Sequence, residues 1–230
     1  MQIDTQEEIE PVIVKVQGLL QKINRLQLPT ASRRDVECIL VRQVSKELDY
    51  ALPWQAGHGV HTAAVAFTIG QRLALHAGEL HDLKLAALLH DIGLLMLSAR
   101  LRTGGEPLDP ESYVAIQNHS RLGANLLEPF AFLREASNLI AHHHERWDGS
   151  GYPYGIRGAC IPLGARILAV ADAFEAIQVP EVSAYIVRDR IALRILRVAS
   201  GTQFDPSVVD TLAVAVLETD LNRDRRGVIS

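Results

Sequence analysis

Several kinds of residue and pattern are scarce in this chain, and each scarcity removes a class of protein. Among 230 residues there are two cysteines. Cys38 and Cys160 stand far apart and belong to no paired ligand motif, which argues against a disulfide framework and for a reduced compartment. No apolar run approaches the ~20 residues that span a bilayer. The opening MQIDTQEEIE is acidic and lacks the basic and apolar regions of a signal peptide. These absences predict a cytoplasmic protein without a membrane segment. Charge of one sign is also missing: 23 basic against 27 acidic residues leave a net charge of −4. That balance does not suit a binder of DNA, RNA or membrane by charge alone, so any phosphate recognition must be local. Nothing alternates with a period of two and no internal repeat is found, which leaves little room for a sheet or a solenoid.

What is present is apolar residue, 48% of the chain, enough for a substantial core, and it recurs at helical spacing. Ile9, Val12, Val16, Leu19, Ile23 and Leu26 alternate steps of three and four, as a coiled-coil seam does, and form a candidate homodimer stripe or a face packed on the chain's own domain. A second helix is predicted from about Arg33 to Leu48. Further helices are predicted over His58–His76 and Glu79–Leu97. After a turn at Gly104, Gly105 and Pro107, another starts with Asp109 as N-cap and Pro110 in first position. Ile161–Ile177, Arg188–Ser200 and Pro206 to about Glu218 complete the series. The expectation is all-α: an amino-terminal helical segment (1–52), a main helical domain (53–220) and a polar tail (221–230).

The chemistry gathers around AHHHERWDGSGYP, Ala141 to Pro153. Leu133, Ala136 and Ile140 form an apolar stripe that continues onto His143 and His144, and the helix is expected to end at Asp148-Gly149-Ser150-Gly151. His90-Asp91 interrupts the apolar LAALLHDIGLLML, and Asp172 interrupts RILAVADAFEAI. Carboxylates in such surroundings are costly unless a cation or hydrogen bonds compensate them. Collected from five predicted helices, the candidate ligands are His61, His90, Asp91, His119, His143, His144 and Asp172. Seven donors exceed what one tetrahedral zinc needs, whereas two metals sharing a carboxylate would use them, with Asp91 as the natural bridge.

HDIG at His90 to Gly93, HHERWDGSGYP at His143 to Pro153, IPLGARILAVADAF at Ile161 to Phe174 and QFDP at Gln203 to Pro206 resemble the HD-GYP group of the HD-domain metal phosphohydrolases. The resemblance runs from about Gly57 to Leu217. It implies an HD-domain helical bundle with a centre of two or three metals, commonly iron or manganese and here expected to be two divalent metal ions, that hydrolyses cyclic di-GMP to pGpG and GMP. The same seven residues would be the ligands, with His90 and Asp91 central to catalysis. The Gly151-Tyr152-Pro153 loop is associated in such proteins with signalling partners as well as with the site.

The pattern is not followed throughout. Leu94 stands where a lysine usually follows HDIG, QVPEVSAYIV replaces an Arg-Pro-Tyr element, and Gly57 stands where three-metal members carry a glutamate. Each lost phosphate contact weakens binding by roughly ten- to a hundredfold. Two other readings therefore stay open: a metal-binding signalling module with little turnover, and a phosphohydrolase of another nucleotide. Glu145 is a candidate for orienting an imidazole. Gly149, Gly151, Tyr152, Pro153, Arg166 and Glu175 are candidates for supporting the site or contacting substrate. Arg100, Arg102, Arg146 and Arg157 are candidate replacements for the missing charge. His58, His76, His81 and His142 are read as surface or supporting residues.

Overall fold

Proline, glycine and capping residues cut the chain into helices close to where the sequence places them. The computed structural model describes residues 10–27, 29–98, 101, 109–177 and 185–227. Ile9, the turn at Gly104, Gly105 and Pro107, Arg100, Arg102 and the segment 178–184 lie outside these. The helices are α1 (Glu10–Asn24), α2 (Thr30–Ala51), α3 (His58–Arg72), α4 (Ala77–Leu89), α5 (Pro110–Gln117), α6 (His119–Leu127), α7 (Arg134–His142), α8 (Leu163–Ala176), α9 (Tyr185–Val198) and α10 (Pro206–Gly227). Among the described residues there is no strand, only an isolated bridge between Ser200 and Phe204.

α4 is the axis of the bundle. Leu83, Leu85, Ala86, Ala87, Leu88 and Leu89 are all buried, so the last turns of the helix, residues 85–89, are apolar on every side, as a segment enclosed by others must be. It packs against α2, α3, α7 and α8. The start of α5 follows the expected chemistry: the Asp109 carboxylate accepts from the Ser112 amide at 2.7 Å, and Pro110 opens the helix.

The amino-terminal stripe faces inward. Val12, Val16, Leu20 and Ile23 of α1 are buried in the same core as Val41, Val44 and Leu48 of α2. The seam that could have served a second copy is occupied within the chain. α2 is held to α4 by polar contacts as well: His81 Nε2 lies 3.0 Å from Glu37, and its Nδ1 lies 3.6 Å from the Cys38 sulfur. At the other end, α10 continues to Gly227, so the expected polar tail from 221 is helical over most of its length.

Among the helix ends that differ from expectation, three shape the site. The helix expected to run to Leu97 stops at Leu89, and Ile92–Met96 forms a 3-10 turn. The helix expected to reach Asp148 stops at His142. Neighbouring residues on a continuous α-helix are rotated by about 100°. His90-Asp91 and His143-His144 can each face one centre only because each pair lies just past a helix terminus. The third is a break at Asn118, which divides the expected helix into α5 and α6 and sets His119 at the start of α6.

Candidate metal centre

Three of the five inner imidazoles, those of His90, His119 and His143, are oriented by the helix turn that precedes them. Nδ1 of His90 lies 2.9 Å from the carbonyl of Ala87, that of His119 2.7 Å from Ile116, and that of His143 2.7 Å from Ile140. A carbonyl only accepts, so Nδ1 carries the proton and Nε2 keeps its lone pair. These bonds also satisfy carbonyls left open near helix ends.

The free Nε2 atoms converge in two groups. His119, His143 and His144 form one; His58, His90 and Asp172 form the other; within each group one ligand atom per residue lies within 4.8 Å of the rest. His119 Nε2 is 3.4 Å from His143 Nε2 and 3.2 Å from His144 Nε2. Such contacts between ring nitrogens are favourable only when a proton or a cation lies between the lone pairs. Nε2 of His90 is buried without a hydrogen-bond partner, 3.1 Å from Asp91 Oδ2 and 3.5 Å from Asp172 Oδ1. Asp91 stands between the groups, since its other oxygen, Oδ1, lies 3.3 Å from His119 Nε2.

The electrostatics call for positive charge. Burial opposes ionisation of Asp91 and Asp172, yet their histidine neighbours outweigh it and hold both carboxyls well below the usual range. For His90, burial opposes the charged ring, but Asp91 and Asp172 raise its pKa well above the ordinary value. Burial and adjacent rings push His143 well down and His144 down to about 4. Two ionised carboxylates beside imidazoles, of which burial and neighbouring rings keep His143 and His144 neutral, form a donor set that fits divalent cations.

Six of the seven sequence-derived ligands meet here, and the exception is His61. Its side chain is 68% exposed and faces Glu175 at 3.8 Å, one turn further out on α3. His58 occupies the inner place, with Nε2 2.9 Å from Asp172 Oδ1 and its ring edge-on to His90. Helical spacing alone cannot separate His58 from His61, because residues three apart share a face. Gly57, the αL residue before α3, allows the chain to enter the helix there.

Backbone contact fixes the relation between the groups. A Cβ on Gly93 would lie 1.9 Å from the carbonyl oxygen of His119, so only glycine lets the turn after Asp91 touch the start of α6. A Cβ on Gly151 would lie 2.2 Å from the Arg146 amide nitrogen and 2.6 Å from the His144 oxygen. Here the glycine-rich loop folds back beneath the paired histidines.

The remaining candidates have mostly structural places. Glu145 does not orient an imidazole in any described contact: it is buried and accepts from the Tyr154 amide at 2.6 Å, anchoring the loop. Gly149 has φ +86°, and a cis peptide joins Tyr152 to Pro153. Arg166 points away from the centre, to Asp205 at 2.5 Å and the Ile161 carbonyl at 2.9 Å, beneath the Trp147 ring. The amides of Trp147 and Asp148 bond to the carbonyls of Gln203 and Thr202. The QFDP segment therefore braces the loop. Arg146 bonds to Ser150, and Arg157 is exposed. His76 starts α4, with its amide bonded to Glu79 at 2.8 Å, and His142 bonds back to Asn138.

The centre opens into a cavity of about 550 Å³. His58, Asp91, His119, His144 and Asp172 form its floor; Trp54, Gln55, Leu94, Ile116 and Tyr152 are among its walls; and His61 and Glu175 complete the lining. No lysine or arginine is among the described residues lining it. Sequence reading had not singled out Trp54 or Gln55. Gln55, one residue further on, donates to Asp91 Oδ2 at 2.7 Å. Its signal was only its position, three residues before His58.

The chain resembles known proteins in sequence and in fold. The family model described as HD domain matches residues 42–208. The chain is 32% identical over 181 residues to the 3'3'-cGAMP-specific phosphodiesterase 3 of Vibrio cholerae, an alignment covering 79% of this chain and 39% of that protein. It is 35% identical over 150 residues to the cyclic di-GMP phosphodiesterase response regulator RpfG of Xanthomonas campestris, covering 64% of this chain and 40% of the relative. The chain thus spans about two fifths of each relative's length. The crystal structure of the V. cholerae cyclic GMP-AMP phosphodiesterase V-cGAP3 superposes with a TM-score of 0.64 at 24% identity, over 78% of this chain and 48% of that one. No helix among the described residues is long and apolar enough to cross a membrane. With its HDIG and GYP motifs lying against one imidazole-carboxylate centre, this chain belongs to the HD-domain family, in its HD-GYP group.

Proposed function

We propose that the chain is a metal-dependent phosphodiesterase of cyclic dinucleotides, acting on cyclic di-GMP to release linear pGpG and then GMP, or on a guanine-containing relative to release the corresponding linear dinucleotide and mononucleotides. The single observation that carries this reading is Asp91, whose two oxygens face two different ligand groups. His119, His143 and His144 would hold one divalent cation and His58, His90 and Asp172 the other, with Asp91 shared. All are imidazole or carboxylate donors, a set that suits iron or manganese.

Bound there, the cations supply Lewis acidity towards water and phosphate oxygens. Hydrolysis forms one bond from water oxygen to phosphorus, breaks the bond to the 3′-oxygen, and delivers a proton to that leaving oxygen. The carbonyl-held imidazoles keep their lone pairs aimed inward, and Gln55 fixes the rotation of the Asp91 carboxylate. Burial pushes the Glu175 carboxyl up, and the side chain faces His61 at the cavity's rim. It is our candidate proton donor for the leaving oxygen.

The test is incubation of iron- or manganese-loaded protein with cyclic di-GMP and with 3'3'-cGAMP, followed by chromatography. Linear dinucleotide supports the reading, and no product with either substrate and either metal contradicts it. The cavity's lack of a described basic side chain favours one alternative, a signalling module that binds nucleotide without turnover and reports to a partner through the Gly151-Tyr152-Pro153 loop. Binding without product would select it.

A further inference from the structure

We infer that Trp54 is a stacking platform for a nucleobase of the ligand of this cavity, whose described lining holds no lysine or arginine. The inference rests on the phosphodiesterase reading for the identity of the ligand, but its geometry stands on separate observations.

Trp54 is 57% exposed and lines the cavity that holds the centre. A single exposed aromatic is common on a protein surface. Position distinguishes this one. Pro53 fixes the backbone at the start of the 3-10 turn Pro53–Gln55. The Leu52 amide bonds to the Leu48 carbonyl at 2.7 Å, the Gln55 amide to the Leu52 carbonyl at 2.9 Å and the Ala56 amide to the Pro53 carbonyl at 3.3 Å. The Gly57 amide bonds to the Asp49 carboxylate at 3.1 Å. Gln55 then reaches Asp91 itself. The backbone that carries the indole is therefore held in register with the centre by a short turn bonded on both sides.

Leu94, Ile116 and Tyr152, apolar or aromatic, line the same cavity. A site that places imidazoles and carboxylates on its floor and flat or apolar groups on its walls suits a ligand with a phosphate at one end and a purine at the other. Stacking on an aromatic side chain tolerates any base and adds roughly ten- to a hundredfold in affinity. That range matches what one missing phosphate contact removes.

The test uses the full chain, loaded with metal. Trp54→Ala should raise the KM for cyclic di-GMP by about ten- to a hundredfold while kcat changes little, and Trp54→Phe should restore most of the loss. Affinity for ribose 5-phosphate, which has phosphate but no base, should be equal in wild type and Trp54→Ala. In a Trp147→Phe variant, Trp54 is the one remaining indole of the chain's two, and GMP should quench its emission. Quenching without turnover would support the platform and refute the phosphodiesterase reading. An active enzyme whose KM is unmoved by Trp54→Ala would overturn the platform alone. Emission unmoved by saturating GMP, together with no turnover, would overturn both.

Discussion

Nε2 of His58 lies 2.9 Å from Oδ1 of Asp172, and this contact decides which histidine of α3 belongs to the centre. His61, one turn along, is mostly exposed. His58→Ala is expected to lower bound metal by about one equivalent per chain and to abolish turnover. His61→Ala should keep full metal content. Elemental analysis of the two variants checks the assignment, and equal metal loss in both would contradict it.

The shared carboxylate makes a sharper prediction. Asp91→Asn keeps the shape but removes the charge that faces both groups, so both cations should be lost or bound far more weakly. Loss of an essential ligand is expected to reduce turnover by at least about a thousandfold, consistent with the several kcal/mol that metal catalysis contributes. Metal titration by calorimetry distinguishes this from loss at a single site.

Gly93 bears on how the site is built. Gly93→Ala places a methyl 1.9 Å from the His119 carbonyl oxygen, and backbone must move to admit it. We expect destabilisation of about 1–3 kcal/mol and reduced metal affinity, read by thermal melting with and without manganese. A variant that melts and binds metal like wild type would remove the close approach as a constraint.

The brace between Arg166 and Asp205 should govern acid stability. Asp205 is 4% exposed, and although burial acts to raise its pKa, the bonds from Ser207 and Arg166 hold the carboxyl below its ordinary value. A carboxyl depressed in the folded state stabilises above its unfolded pKa of about 3.9. That contribution is lost as pH falls through the folded value. Arg166→Met should destabilise at neutral pH by about 3 kcal/mol, and the gap from wild type should narrow below about pH 4. Denaturant melts at pH 7 and pH 3 measure both, and a gap that stayed constant would count against the pair.

Much of this was legible from sequence, for reasons that differ by element. Asp109-Pro110 announces α5 because capping and proline geometry are local. His90, Asp91, His119, His143, His144 and Asp172 stood out because charge and imidazole in apolar helices need a partner. His58 was passed over because residues three apart share a helix face. The same periodic reasoning extended two helices past the ligand pairs, when two consecutive side chains can face one centre only beyond a helix end. Arg166 was a candidate for supporting the site or contacting substrate, yet its partner, Asp205, lies 39 residues away and no local pattern links them. Leu20 rather than Leu19 completes the α1 face, which is settled by packing against α2.

The central claim is a pair of cation sites on either side of Asp91. Anomalous diffraction from crystals of manganese-loaded protein tests it most directly. The account predicts two peaks, one among His119, His143 and His144 and the other among His58, His90 and Asp172, with a carboxylate oxygen of Asp91 towards each. A single peak, or two peaks with His61 in place of His58, would contradict it.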